Sequence, residues 1–491
     1  KEPLMHLCLE LNELGLLTGM KDLGGGGLSC VVGELALDAG FGAKVDLEKV
    51  HLKLKNMAPW EIWVSESQER MMFTVKPEDV QTVLDRCNAW DVEAVAIGEV
   101  IKEKRNIVRF HNTEILNLDL EFTTGGPVYN RPYTLPEINN LEAVELPQPP
   151  LNLSETIEEI ISNPEVASKD WVIRQYDHEV RGATAIKPIQ GKIGKEVPGD
   201  SSVLKPVENS WKGLALTTDI NPHLMEANPY HGTMSAVEEI CRNLASVGAR
   251  IDSLADCLCF GNPQRPEIMG QFKSSCDALR DAASSVDVPY VSGNVSLYNE
   301  TAEGAIPPTP VLMGIGIVDD IRKCVTSDLK NEGDIWLVGD NKQQLGASLY
   351  YRTLGINCPN VPTTDFDSFI PRMEQLIDAI ECGEVVACHD ISTGGMALAI
   401  IEMCMSGVGA EINLSGDMRT DLELFNESNG RWIVQVKPGL ESKFSKRFDF
   451  AKKLGSVDKN VNFVLNEKES IVFSIEKLRK IWTEPLWNRM A

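Results

Sequence analysis

The sequence predicts a mixed α/β chain (α+β in local order) built on an internal duplication. Three observations carry this. The segment Met20-Lys21-Asp22-Leu23-Gly24-Gly25-Gly26-Gly27-Leu28-Ser29 returns as Cys388-His389-Asp390-Ile391-Ser392-Thr393-Gly394-Gly395-Met396-Ala397. A glutamate follows each aspartate at the same distance, Glu34 and Glu402, and each copy then reaches a Gly-x-Gly turn, Gly40–Gly42 and Gly407–Gly409. Finally, Glu66-Ser67-Gln68-Glu69-Arg70 returns as Glu427-Ser428-Asn429-Gly430-Arg431, in the same order and at nearly the same separation. A period this long excludes a solenoid and points to gene duplication.

The elements follow from apolar spacing. Leu4, Leu7, Cys8, Leu11 and Leu14 fall at helical spacing, and a short strand should end near Asp22. The glycine loop opens a second helix, about residues 28–38. Strands are expected around 43–54, 62–64 and 70–75, a helix at 77–88 and a strand near 95–100. Prolines crowd residues 116–165 (Pro127, Pro132, Pro136, Pro147, Pro149, Pro150), so a linker is placed there. The run Glu155 to Glu165 reads as a solvated helix surface. Residues 166–325 form a new unit. Gly213–Asp219 reads as a strand ending on a carboxylate. A helix should start near Ser235, with Ser235-x-x-Glu238 as a capping box and Val237, Ile240, Leu244 and Val247 facing the core. Leu254–Phe260 is a strand delivering Asp256. Met269, Phe272, Cys276, Leu279 and Ala283 keep helical spacing, and Val288–Val291 runs into Ser292-Gly293-Asn294-Val295-Ser296. Residues 326–491 repeat the pattern of residues 1–115. The chain opens directly on a helix pattern without an initiator Met, and the expectation is an upstream segment resembling residues 166–325.

Composition narrows the function. At 491 residues, 43% hydrophobic and 24% charged, the chain has ordinary globular composition. No apolar run reaches the roughly 20 residues of a membrane span. A net charge of −25 opposes nucleic-acid binding. An anionic ligand must then be held locally, by backbone amides, a divalent cation or a few basic residues. The twelve cysteines are scattered without a Cys-x-x-Cys, which reads as reduced cytosolic cysteine. Cys257 and Cys259 share a strand face and are assigned to the core. Cys388-His389 is no nucleophile and base, since adjacent strand residues point to opposite faces.

Three constellations carry possible chemistry. Asp22 with Gly24–Gly27 sets a carboxylate beside amides at a helix start, which suits phosphate with Mg²⁺. The alternative is a tight strand-to-helix turn with an aspartate near its cap. It is neither a P-loop nor a Rossmann fingerprint. Gly293-Asn294-Val295-Ser296 lets a ligand approach the backbone and offers an amide and a hydroxyl, or is a polar turn. Asp256 on a neighbouring strand favours a site. Glu66–Arg70 could contact a polyhydroxylated ligand or be a solvated hairpin, and its recurrence does not separate a fold requirement from a ligand requirement.

With these residues in hand, the whole chain resembles the synthetase subunits of phosphoribosylformylglycinamidine synthase, the PurL type. The carrying motifs are Lys21–Gly27, Ser65–Arg70, Gln175-Tyr176-Asp177-His178-Glu179-Val180, Asp256-Cys257-Leu258-Cys259-Phe260-Gly261-Asn262-Pro263 and Val291–Asn299. The resemblance implies an internally duplicated fold of the aminoimidazole-ribonucleotide-synthetase type. It would be a pseudo-dimer with a shared central β-barrel and flanking α/β sandwich domains. Residues 1–115 would be the C-terminal domain of the first repeat, 116–165 a linker, 166–325 the N-terminal, ATP-binding-like domain of the second repeat and 326–491 its C-terminal domain. The implied activity is a carbon–nitrogen ligase of purine biosynthesis in the cytoplasm. Formylglycinamide ribonucleotide, ATP and glutamine-derived ammonia give formylglycinamidine ribonucleotide through an iminophosphate. The implied cofactors are ATP and Mg²⁺. By resemblance Asp22 and Asn294 bind magnesium, Glu66, Ser67, Gln68 and Ser296 contact substrate, and Asp256 and Gly293 contact ATP. The family's catalytic histidine is expected in an upstream segment, so no residue of this chain is named as catalytic and residues 1–491 alone are expected to be inactive. Thr218-Asp219-Ile220-Asn221-Pro222-His223 lacks the family's His-Asn-His-Pro pattern, which makes the second-repeat site auxiliary, a structural nucleotide site. Implied partners are a separate glutaminase subunit, a small accessory subunit and the missing half of the barrel. Two other readings stand beside this one: another ATP-using synthetase of the same superfold, and a non-catalytic nucleotide-binding scaffold.

Overall fold

A computed structural model describes residues 2–126, 128–136, 146–176, 178–179, 181–358, 360–414, 418–466 and 469–490. Asp177 and Val180 of the Gln175–Val180 motif and Pro127 of the linker lie outside the described residues. The chain divides into two compact units, Lys1–Asn130 and Arg131–Ala491.

In the first unit, helix Glu2–Glu13 and helix Val80–Ala89 bury Leu7, Leu11, Val83 and Cys87 against each other. The 3–4 residue spacing of the leucines produces that face. Each fully buried leucine stabilises the pair by roughly 1.5–3 kcal/mol. Strands Leu17–Asp22 and Met71–Val75 pair antiparallel, with Asp22 opposite Met71. A second sheet runs Gly98–Ile101, Gly42–Asp46, Arg105–Phe110, Thr113–Asp119 in spatial order. Helix Leu28–Asp38 contributes Leu28, Val31, Val32 and Ala36 to a core with Val45 and Val108.

The same registers recur in the second unit. Strands Val385–Asp390 and Trp432–Val436 pair antiparallel with Asp390 opposite Trp432. Gly409–Asn413 runs parallel to Val461–Asn466 as Gly42–Asp46 does to Arg105–Phe110. The difference is connection. Strands Asp334–Val338 and Lys452–Asp458 join the second copy into one seven-stranded sheet, whereas the first copy's strands stay in two sheets. The remaining part of this unit holds a six-stranded sheet. Its order is Tyr290–Ser296, Arg250–Cys259, Thr309–Val318, Gly213–Asp219, Ser202–Leu204, Thr184–Ile186. Helix Pro229–Ser246 covers it with Val237, Ile240 and Leu244 fully buried. Among the described residues this sheet is open, so the expected barrel is not closed here. Among the described residues, no helix is long and apolar enough to cross a membrane.

Two expectations need correction. Residues 62–64 belong to helix Pro59–Val64 rather than a strand. Pro59 fits the first helical turn and the Glu61 carboxylate accepts the Ala58 N–H at 2.6 Å. The helix expected from Ser235 begins at Pro229, because Asn228 caps it through the His231 N–H at 3.0 Å. Ser235 is therefore inside the helix, where its hydroxyl accepts from Asn429 Nδ2 at 2.8 Å. Within residues 116–165 lie helices Leu120–Gly125 and Leu153–Ser162, the latter burying Ile157, Ile160 and Ile161.

Candidate functional site

The first copy of the repeat places an open carboxylate beside a glycine loop. Strand Leu17–Asp22 ends on Asp22, which is exposed. Gly27, at φ 55°, starts the next helix, and a Cβ there would lie 2.0 Å from the Ser65 carbonyl oxygen. Only glycine permits that approach. The loop is held from the other side by Glu66, whose Oε1 accepts the Gly26 N–H at 2.8 Å. Arg70 donates from Nη2 to the Ser65 carbonyl at 2.5 Å and from Nε to that of Ser67 at 2.7 Å. Gln68 Nε2 donates to the Glu66 carbonyl at 2.8 Å. Two glycine amides are thereby engaged within the protein, Gly26 by Glu66 and Gly27 by the Gly24 carbonyl at 3.1 Å. Asp22, Ser67 and Gln68 remain exposed around the loop.

The second copy reproduces the glutamate and arginine bonds of this framework, while Asn429, in the place of Gln68, donates to Ser235 and Thr364 instead. Glu427 Oε1 accepts the Gly394 N–H at 2.8 Å. Arg431 donates from Nη2 to the Asn426 carbonyl at 2.5 Å and from Nε to that of Ser428 at 2.9 Å. A Cβ on Gly395 would meet the Asn426 carbonyl oxygen at 2.7 Å. Even the flanking pair recurs: Lys21 meets Glu34 at 2.6 Å, and His389 Nε2 meets Glu402 at 3.1 Å. The recurrence of the Glu-x-x-x-Arg motif is therefore a requirement of the loop's architecture.

What fills the two copies differs. Asp390 is buried, with its carboxylate 3.1 Å from Arg242 Nε. Arg242 also contacts Glu238, and its Nη2 lies 3.2 Å from Glu239. His389 Nδ1 lies 2.6 Å from Asp200, whose second oxygen accepts the Asp390 N–H at 3.1 Å. Burial alone would lower the His389 pKa, but Asp200 and Glu402 outweigh it and hold the ring well above the usual histidine range. Burial likewise opposes the charge on Arg242, and Glu238, Asp390 and Glu239 overcome it. Desolvation pushes Asp219 up to about 7, with Arg242 opposing and Asp390 adding to the rise. Ligand atoms of Asp200, His389 and Asp390 lie within 4.8 Å of one another, close enough to hold a cation. Sequence reasoning found Asp219 and Asp390, gave Glu238 only a capping role, and missed Asp200, Arg242 and Glu239. They lie far apart in sequence, and only the equivalence of Asp390 with Asp22 marked the spot.

A third arrangement lies on the six-stranded sheet. Strands Arg250–Cys259 and Tyr290–Ser296 run parallel, with Asp256 opposite Gly293, Cys257 opposite Asn294 and Cys259 opposite Ser296. The strand adjacency expected from the sequence is therefore present. A Cβ on Gly293 would come within 3.0 Å of both Asp256 oxygens, so the glycine keeps that carboxylate accessible. Burial raises the Asp256 pKa. Asn294 is exposed and its Nδ2 lies 3.3 Å from Cys257 Sγ. Ser296 and Asn299 exchange hydrogen bonds at 3.1 and 3.3 Å. Cys257 and Cys259 are half-buried beside Asn294 rather than part of the core.

Sequence comparison agrees with the duplication. Residues 1–111 and 348–466 both match "AIR synthase related protein, C-terminal domain", and residues 198–318 match its N-terminal domain. Phosphoribosylformylglycinamidine synthase subunit PurL of Thermoplasma acidophilum is 37% identical over 90% of this chain and 58% of its own length. The subunit PurL of Pyrococcus horikoshii is 35% identical over 99% of this chain and 67% of its own length. The chain belongs to the PurL family. It spans about three fifths of the length of the Thermoplasma relatives it matches. PurL of T. maritima, solved in complex with ATP, shares the fold at TM-score 0.64 and 24% identity, over 93% of this chain and 66% of that one. The T. maritima PurL complex with FGAR superposes equally, at TM-score 0.64 and 23% identity, over 93% of this chain and 64% of that one. A PurL-family chain thus carries two C-terminal-domain copies on one framework, one open and one filled.

Proposed function

We propose that this chain serves the ATP-dependent conversion of formylglycinamide ribonucleotide and ammonia to formylglycinamidine ribonucleotide. The observation that carries the reading is the open first copy: an exposed carboxylate, Asp22, on a glycine loop braced by Glu66 and Arg70, in a PurL-family sequence. No protein cation is paired with the Asp22 carboxylate among the described residues, and Gly24 leaves the space beside it free, so an oxygen-seeking Mg²⁺ fits. Asp22 in the first unit would hold one magnesium ion and Asn294 in the second unit would hold a second one, each neutralising phosphoryl charge when bound. Asp256 and the backbone at Gly293 orient the nucleotide. In the first unit the exposed Ser67 and Gln68 offer hydrogen bonds to a substrate's polar groups while Glu66 braces the loop, and in the second unit the Ser296 hydroxyl is assigned a substrate contact of its own. Positioning of the reacting groups supplies the rest of the rate.

The filled second copy serves as an auxiliary nucleotide or structural site. The four-part division at residues 115, 165 and 325 and a barrel completed by further strands belong to the same proposal, as does a cytoplasmic setting. A solved T. maritima assembly is named PurLQS, which supports a multi-subunit enzyme in which a separate glutaminase and a small subunit deliver ammonia.

Ammonia-dependent ADP release with formylglycinamide ribonucleotide tests the reading. It is measured on this chain alone and with the portion of a PurL relative that the chain does not match. ADP release requiring both the ribonucleotide and ammonia in either arm supports it. Nucleotide binding without such turnover in both arms would favour a scaffold role.

A further inference from the structure

We propose that Asn299 is a positioning residue for the substrate contact at Ser296, and that it turns the Ser296 hydroxyl to accept from a hydroxyl or N–H group of the ligand. The inference rests on the function proposed above and adds a residue and a polarity to it. Ser296 follows the exposed run Ser292–Val295 and is half-buried, as is Asn299. Asn299 Nδ2 lies 3.0 Å from the Phe260 carbonyl, 3.0 Å from the Ser296 carbonyl and 3.1 Å from Ser296 Oγ. Its Oδ1 lies 3.3 Å from the same Oγ. A carboxamide has two N–H hydrogens and a hydroxyl has one. The two carbonyls can only accept, so they take both amide hydrogens. The hydroxyl hydrogen then goes to Oδ1. With that hydrogen held, Ser296 Oγ offers a ligand its lone pairs alone. Flipping the carboxamide would set its oxygen against two carbonyl oxygens, so the backbone fixes its orientation.

The surrounding backbone holds this arrangement. The Phe260 carbonyl also accepts the Asn299 N–H at 3.2 Å, and the Ser296 carbonyl also accepts the Phe260 N–H at 3.0 Å. Each carbonyl therefore has two donors. Between Ser296 and Asn299 the chain turns at Tyr298, whose φ of 63° is costly for a bulky side chain. The Tyr298 N–H is pinned to the Gly261 carbonyl at 3.0 Å. A residue held in that conformation beside an exposed strand points to a geometry kept for function. An asparagine of purely structural use would satisfy the two carbonyls and leave the serine alone. Here the same carboxamide also takes the hydroxyl.

The test is a double-mutant cycle on steady-state turnover in the complete enzyme. Ser296→Ala should raise KM for formylglycinamide ribonucleotide by about three- to tenfold, the size of one lost hydrogen bond, and leave KM for ATP unchanged. Asn299→Ala should raise the same KM to a similar extent. The double variant should lie within about twofold of Ser296→Ala, because both changes act through one hydroxyl. A purely structural Asn299 multiplies its loss onto that of Ser296→Ala, and that result overturns the positioning role. The polarity has its own arm. Ser296→Ala should weaken competitive inhibition by the riboside that lacks the phosphate by the same factor as it raises KM, because the donor groups remain and only an acceptor is gone. A loss confined to the ribonucleotide places phosphate at Ser296 and overturns the acceptor orientation. Ser296→Ala keeps the carbonyl clamp, so this arm stands even where Asn299→Ala fails to fold. A wild-type enzyme without formylglycinamide-dependent turnover overturns the reaction itself, and the substrate contact at Ser296 with it.

Discussion

Glu66 Oε1 accepts the Gly26 amide at 2.8 Å, and in the second copy Glu427 Oε1 accepts the Gly394 amide at the same distance. The two glutamates differ in what surrounds them. Glu66 is exposed, while Glu427 is buried and also accepts the Leu349 N–H at 2.9 Å. Removing an exposed acceptor leaves a donor that water can satisfy. Removing a buried one strands two amides at about 1–3 kcal/mol each. Glu66→Ala should therefore cost about 1 kcal/mol or less and Glu427→Ala several times more. Denaturant unfolding checks this, and equal costs would contradict it.

Burial pushes the Glu427 carboxyl up to about 7, against about 4.3 for an unfolded glutamate. Between these values the folded state holds a proton that the unfolded chain releases. The group's contribution to stability is complete below the unfolded value and is lost as pH rises through about 7. Asp219, also raised to about 7, acts in the same direction. Stability measured from pH 5 to 8 should carry a falling component of up to about 1.4 kcal/mol per pH unit per group. Glu427→Gln keeps the acceptor oxygen and should flatten the profile. An unchanged slope in the variant would contradict the assignment.

Arg242 touches Asp390, Glu238 and Glu239 in the filled copy. Its loss leaves buried carboxylates without their cation. Arg242→Met should destabilise the chain by about 3–5 kcal/mol. Adding Asp390→Asn should return part of that cost, because one stranded charge is then gone. Additive costs in the double mutant, read by thermal unfolding, would show that the contact carries no coupling.

Much of this was legible in the sequence. The Asp22–Ser29 and Glu66–Arg70 repeats located both loop frameworks, because a glycine at positive φ and an arginine bonded to two loop carbonyls tolerate few substitutes. Asp256 and Gly293 were expected on adjacent strands and lie opposite each other. The misses have physical causes. Residues 62–64 were expected as a strand, but Pro59 and Glu61 supply helix-start chemistry. Ser235-x-x-Glu238 matched a capping box, yet Asn228 and Pro229 made a stronger start earlier. The cluster around Arg242 joins residues separated by up to 190 positions, a proximity that no local pattern encodes.

The central claim is that the open copy acts on nucleotide and substrate. The most direct test is formylglycinamide- and ammonia-dependent ADP release by Asp22→Asn beside the wild type, in the complete enzyme. Asp22 is exposed, so the substitution should leave thermal unfolding within about 0.5 kcal/mol of wild type. ADP release should fall by about 100-fold or more, as expected when a group stabilising transition-state charge is lost. A folded Asp22→Asn enzyme with wild-type turnover would contradict the account.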